Sequence, residues 1–132
     1  MAKIMIIDDD VDLLETLQEA LSGPETTIVT RDTTDGAIEA MLEQRPELLI
    51  LDVMFPENPA EGFDLAREVR TKEELRSLPI ILLTGINQEV PGGLSREDLG
   101  DEWFPVQDLL EKPVELSVLR ARVKELLAGQ GS

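Results

Sequence analysis

Short apolar runs alternate along the chain with longer segments of helical periodicity. Five runs have the length and composition of β-strands. Three of them are almost continuously apolar, which is typical of parallel strands covered by helices on both faces. The predicted strands are residues 3–7, 27–30, 47–51, 79–83 and 106–110.

The segments between these strands carry apolar residues at helical spacing. In "VDLLETLQEALSG" the leucines recur every three or four residues until Gly23 and Pro24 end the pattern. Further helices are predicted over "DGAIEAMLEQRP", from about Glu61, and over "VELSVLRARVKELLAG". Residues 85–105 are rich in glycine and proline, so a fourth helix there should be short or irregular. This order predicts an α/β fold with a doubly wound, five-stranded parallel sheet flanked by helices, as in flavodoxin-like folds.

Polar side chains follow four of the strands where each apolar run ends. Asp8 and Asp9 follow the first strand, Asp52 the third, Thr84 the fourth and Lys112 the fifth. In a doubly wound sheet the functional site lies beyond the carboxyl ends of the strands, where the winding reverses. We therefore expect these side chains to form one polar ridge.

The residue types on this ridge suit metal-assisted phosphoryl chemistry. Clustered carboxylates repel each other unless some are protonated or a cation lies among them. The chain has no histidine and no cysteine, so an all-oxygen ligand set points to a hard ion such as Mg²⁺. A metal ion beside Asp52 leaves one carboxylate oxygen able to attack a phosphoryl group, while Thr84 and Lys112 bond the phosphoryl oxygens.

The ordered motifs resemble a known family. The segments "IMIIDDDVDLL", "LLILDVMFP", "IILLTG" and "LLEKPV" look like those of CheY-like receiver domains of two-component response regulators. The resemblance runs from Lys3 to about Leu127 and covers essentially the whole chain. It implies that the protein takes a phosphoryl group from a phosphohistidine on a sensor histidine kinase or phosphotransfer protein. Such a receiver catalyses its own phosphorylation and dephosphorylation and is otherwise not an enzyme.

The same resemblance assigns roles to the ridge. Asp8 and Asp9 are implied to hold Mg²⁺ together with Asp52, and the backbone carbonyl of Met54 is implied to complete the metal site. Asp52 is then the phosphoacceptor. The threonine of the ridge, Thr84, corresponds to the switch hydroxyl, and its lysine corresponds to the phosphate-binding lysine that precedes a proline.

Length and composition limit the other possibilities. The 132 residues fit one domain, which we place at residues 1–128 with a flexible tail at 129–132. A hydrophobic content of 42% argues for a globular fold despite a net charge of −16, and this charge disfavours direct contact with nucleic acid. No apolar run is long enough to span a membrane, so we expect a cytoplasmic protein. We also expect a stand-alone receiver whose output is a change in protein–protein binding.

Two alternatives remain open. In a haloacid-dehalogenase-like phosphatase, "DDDVD" would supply Asp8 as nucleophile and Asp10 as acid, although the chain has no room for a substrate cap. Asp10 is also explained as the cap of the first helix. The second alternative is a receiver-like binding module that is not phosphorylated. The position of the phosphoryl group, on Asp8 or on Asp52, separates the phosphatase from the receiver.

Overall fold

Strands and helices alternate through the computed structural model, which describes residues 2–52, 61–84, 108–111 and 115–130. The strands are β1 (Ala2–Ile7), β2 (Thr26–Arg31), β3 (Leu48–Asp52), β4 (Ile80–Thr84) and β5 (Asp108–Glu111). The helices are α1 (Val11–Leu21), α2 (Ala37–Gln44), α3 (Glu61–Thr71) and α4 (Leu116–Gln130), and a 3₁₀ turn covers Glu73–Leu75.

The five strands form one parallel sheet in the order β2-β1-β3-β4-β5. The winding reverses at β1, because β2 lies on one side of it and β3 on the other. This confirms the predicted doubly wound, flavodoxin-like sheet. The predicted irregular fourth helix falls on residues 85–105, which lie outside the described residues.

Side chains of alternate strand residues pack into two apolar layers, one on each face of the sheet. In β1, Ile4 and Ile6 pack with α1 and α4, whereas Met5 and Ile7 pack with α2 and α3. All four side chains are fully buried, and each such burial stabilises the fold by about 1.5–3 kcal/mol. Continuous apolar runs are therefore required of these strands, since both faces are covered.

The ends of the helices agree with the sequence signals to within a few residues. Helix α1 ends at Leu21, just before Gly23, and the backbone N–H of Ser22 donates to the carbonyl of Gln18 at 2.9 Å. Helix α2 ends at Gln44, and its C-cap, Arg45, has a left-handed φ of 51° just before Pro46. Helix α4 continues to Gln130, two residues beyond the predicted domain end at residue 128. The flexible tail beyond that end stays a prediction.

Candidate functional site

Asp8 is held in place by the sheet and by a local turn. Its backbone N–H donates to the carbonyl of Arg31 at 3.1 Å, which extends the β1–β2 pairing one residue beyond β1. Its side-chain Oδ1 accepts a hydrogen bond from the backbone N–H of Asp10 at 2.9 Å. The residue is fully buried. Both its backbone and its carboxylate are thus oriented by the fold.

Asp52 is the last residue of β3 and is also fully buried. It pairs in register with Leu83 of β4 on one side. On the other side, Ile7 of β1 pairs with Leu51, so Asp8 stands opposite Asp52 one step further along. The register of three adjacent strands therefore brings the two carboxylates together at the carboxyl edge of the sheet.

Asp9 completes a group of three carboxylates. One carboxylate oxygen each from Asp8, Asp9 and Asp52 lies within 4.8 Å of the other two. Asp8 and Asp52 are buried, whereas Asp9 is exposed to solvent. Two buried carboxylates are costly unless a cation or hydrogen bonds compensate for lost hydration. The set contains oxygen ligands only, which fits Mg²⁺.

Asp10 does not belong to this group. Its carboxylate accepts a hydrogen bond from the backbone N–H of Leu13 at 3.2 Å, and its backbone is extended, with φ −86° and ψ 99°. This is the geometry of a helix N-cap. Asp10 is the cap of α1, as one of the two sequence interpretations held.

The remaining ridge residues are only partly within the described chain. Thr84 is the last residue of β4, and its backbone pairs with Glu111 of β5. Thr84 therefore follows directly on the residue that pairs with Asp52, and Lys112 follows directly on the residue that pairs with Thr84. The side chain of Thr84, together with Met54 and Lys112, lies outside the described residues.

Two features of the site are not predictable from the sequence pattern. The carbonyl of Arg31 accepts a hydrogen bond from the backbone N–H of Asp8, although no sequence pattern marks Arg31 as part of the polar ridge. The side chain of Asp8 also closes the turn that starts α1, through its bond to the backbone of Asp10. A carboxylate two residues before a helix cap is compatible with such a turn, but the pattern alone does not distinguish it from a solvent-exposed group.

Comparison with known proteins identifies the family. The family model of the response regulator receiver domain matches residues 4–124 of the sequence, so the chain belongs to this family. It is 32% identical over 127 residues to the transcriptional regulatory protein AfsQ1 of Streptomyces coelicolor, covering 96% of this chain and 52% of that protein. With the transcriptional regulatory protein GltR of Pseudomonas aeruginosa the identity is 36% over 126 residues, covering 94% and 48%. The chain thus spans about half the length of these curated relatives.

Solved structures agree with this assignment. A two-component response regulator from Clostridium difficile is 26% identical, with a TM-score of 0.79 and full coverage of both chains. The signal receiver domain of a histidine kinase from Syntrophus aciditrophicus is 29% identical, with a TM-score of 0.79 and coverage of 98% of this chain and 92% of that one. This chain is therefore a receiver domain of two-component signalling. A haloacid-dehalogenase-like phosphatase and an unphosphorylated binding module are not favoured.

The helices within the described ranges do not meet the requirements of a membrane span. None of them is both long enough and apolar enough to cross a bilayer.

Proposed function

We propose that Asp52 is the phosphoacceptor of this receiver domain. The observation that carries the proposal is the grouping of Asp8, Asp9 and Asp52, whose carboxylate oxygens lie within 4.8 Å of each other. Asp52 ends the central strand β3, so strand pairing on both sides holds its backbone at the carboxyl edge of the sheet, where we propose that the phosphoryl donor binds. A nucleophile fixed in this way loses little entropy on reaching the attack geometry.

The reaction is a transfer between two partners. A carboxylate oxygen of Asp52 forms a bond to phosphorus while the bond from phosphorus to the histidine nitrogen of the donor breaks. The electron pair of that bond stays on the histidine nitrogen. The product is an aspartyl phosphate, which water later hydrolyses to return the carboxylate and inorganic phosphate. Self-catalysed phosphorylation and dephosphorylation are the only chemistry that we assign to this chain.

Asp8, Asp9 and Asp52 are the residues that would hold Mg²⁺, with the backbone carbonyl of Met54 as a further ligand. The ion supplies positive charge that offsets the repulsion among the carboxylates and the phosphoryl oxygens. Asp8 is kept in its orientation by Arg31 and Asp10, so ligand geometry does not depend on the ion alone.

Thr84 and Lys112 are proposed to bond the phosphoryl oxygens. Thr84 ends β4, which pairs with β3, and Lys112 follows Glu111, the last residue of β5, in the sequence. A hydroxyl donor and an ammonium group add hydrogen bonds and positive charge where negative charge develops during transfer. We assign the switch role to Thr84 because it starts the connection to β5.

A sensor histidine kinase or a histidine phosphotransfer protein is the proposed donor, and the proposed output is altered binding to another protein. AfsQ1 and GltR are named transcriptional regulatory proteins, and this chain aligns with about half of each. The net charge of −16 opposes direct contact between these 132 residues and nucleic acid. We propose the cytoplasm as the location, where such donors act.

The test is labelling with acetyl phosphate in the presence of Mg²⁺, followed by intact-mass measurement. One phosphoryl group should be added to the parent chain, and Asp52→Asn should accept none. Asp12→Asn is the matched control, because Asp12 is an exposed aspartate in the first turn of α1 outside the cluster. Labelling of Asp52→Asn at the parental level, or peptide mapping that locates the phosphoryl group on Asp8, would refute the proposal.

A further inference from the structure

β2 is an edge strand whose outer side is largely open. In the described part of the chain it pairs with β1 only, on one side. A short bridge between Gly23 and Thr26 covers its first residue, through hydrogen bonds of 3.2 and 3.4 Å. The open part, residues 27–31, contains no proline and a single charged residue. Proline and charge are common means by which proteins block an edge strand.

The hydrogen bonds of β2 show which backbone groups point outward. The carbonyls of Glu25 and Arg31 accept bonds from β1 or its extension, whereas Thr26 bonds outward to Gly23. Successive residues of a strand direct their N–H and C=O groups to opposite sides. Ile28 and Thr30 therefore present their backbone groups on the open side of β2, as a strand of another polypeptide would require.

Two rows of exposed carboxylates lie on the helices that cover the two faces of the sheet next to β2, α1 on one face and α2 on the other. On α1, three exposed acids recur at intervals of three and four residues, and a second row at intervals of four begins before α2 and continues along it. None of these six side chains forms an ion pair or a hydrogen bond with another described residue. The two rows are Asp12, Glu15 and Glu19, and Asp35, Glu39 and Glu43.

A groove of about 390 Å³ lies beside the carboxyl end of β2. Its apolar part is formed by Val11 and Leu14, and Val11 is 53% exposed, an unusual degree for a large apolar side chain in this structure. The rest of the groove is lined by residues 30–33, which include the charged Arg31 and Asp32. It can take one apolar side chain of a segment that runs along β2.

We propose that the outer edge of β2 is a docking surface for an extended, basic polypeptide segment. The segment pairs with the backbone of Ile28 and Thr30 and sets its cationic side chains against the two acidic rows. The negative charge favours a basic segment over a second copy of the chain. A second copy would bring another net charge of −16, and the same acidic rows, to the interface. The surface includes none of the three clustered carboxylates, although the carbonyl of Arg31, at its end, accepts a hydrogen bond from the backbone N–H of Asp8. Binding of the segment does not require phosphorylation.

A proline substitution tests the backbone pairing. Thr30→Pro removes an outward N–H and leaves the β1 ladder intact, and edge strands tolerate proline at such positions. Thr30→Ala is the matched control, since it removes the same side chain but keeps the N–H. The probe is a short peptide of alternating lysine and valine with blocked ends, and binding is followed by NMR of the backbone amides. We expect shifts centred on residues 27–31 and about tenfold weaker binding to Thr30→Pro than to Thr30→Ala.

Charge variants test the selection of the partner. Glu39→Gln/Glu43→Gln should weaken binding of the peptide, whereas Asp64→Asn/Glu68→Gln on α3 should leave it unchanged. A peptide of alternating glutamate and valine should not bind. Shifts spread evenly over the acidic surface, equal binding to the two Thr30 variants, or self-association of the protein through residues 27–31 would each overturn the proposal. Thermal melting confirms beforehand that each variant is folded.

Discussion

Asp8 and Asp52 each follow the last pair of the β1–β3 ladder, Ile7 and Leu51, and a carboxylate oxygen of Asp8 lies within 4.8 Å of one of Asp52. Both residues are fully buried. Asp8 follows β1 and Asp52 ends β3, two strands that are separated by 40 residues in sequence but adjacent at the winding reversal. The fold thus places two carboxylates close together, where their negative charges repel each other. This relationship connects the stability of the protein to cation binding.

Neutralising one of these carboxylates should stabilise the metal-free protein. In chelator, Asp52→Asn is expected to raise the free energy of unfolding by about 1–2 kcal/mol, because it removes one of two close like charges without changing side-chain shape. Mg²⁺ should stabilise the parent chain and have little effect on Asp52→Asn. Thermal or urea unfolding with and without Mg²⁺ measures both effects. A variant less stable than the parent in chelator would show that the cluster is not electrostatically strained.

Removal of the α1 cap should affect stability but not phosphorylation. Asp10→Ala loses the hydrogen bond to the backbone N–H of Leu13 and should cost about 1 kcal/mol of unfolding free energy. Asp10→Ser retains a capping oxygen and should recover most of that loss. Labelling by acetyl phosphate should be close to parental in both variants, because Asp10 is not part of the carboxylate cluster. Loss of labelling in folded Asp10→Ser would instead indicate a chemical role for Asp10.

Arg70 should be important for stability although it lies away from the site. Its Nη1 donates to the carbonyls of Leu75, Arg76 and Leu78 at 3.3, 3.3 and 2.6 Å, and so holds the connection from α3 to β4. Arg70→Met should lower the free energy of unfolding by about 2–3 kcal/mol, since partly buried carbonyls lose a charged donor. Arg76→Met, at an exposed neighbouring arginine, is the control and should have little effect. Equal losses in the two variants would contradict this assignment.

The pH dependence of this contribution follows from the direction of the pKa shift. Burial lowers the pKa of Arg70 below its usual value, because desolvation disfavours the charged guanidinium. The unfolded chain therefore binds the proton more tightly, so stability rises only as pH increases through the folded-state pKa. That region lies far above neutrality. The stability difference between the parent and Arg70→Met should thus be constant across the neutral pH range, as urea unfolding at several pH values can verify.

Activation should be visible beyond Thr84. Residues 85–105 follow this residue directly and contain Trp103, the only tryptophan of the chain. Where receivers commonly carry an aromatic residue three positions before the lysine, this chain has Leu109, so we expect the response to appear in the segment after Thr84. Beryllofluoride with Mg²⁺ should change Trp103 emission and the hydrogen exchange of residues 85–105. The change should be much smaller in Thr84→Ala. Constant emission and exchange while the mimic binds would assign the response to another surface.

Hydrophobic pattern and residue type were enough to predict the fold class and the meeting of Asp8 and Asp52 at one edge of the sheet. Continuous apolar runs such as residues 48–51 can only be buried on both faces, and helical periodicity between them requires parallel strands with crossovers. Polar residues that end those runs must then collect at one edge. Asp8 and Asp52 were predictable for this reason, since local patterning and chain topology suffice to locate them.

Three-dimensional packing selects which of the neighbouring carboxylates share the cluster and what holds them. Asp9 and Asp10 are adjacent in an acidic run, yet Asp9 joins Asp8 and Asp52 while Asp10 turns to cap α1. The support of Asp8 by the carbonyl of Arg31 arises from strand pairing. Strand order also leaves the outer side of β2 without a partner strand among the described residues. These features depend on the register between distant segments and on the direction of individual side chains, which local hydrophobic pattern and residue type do not encode.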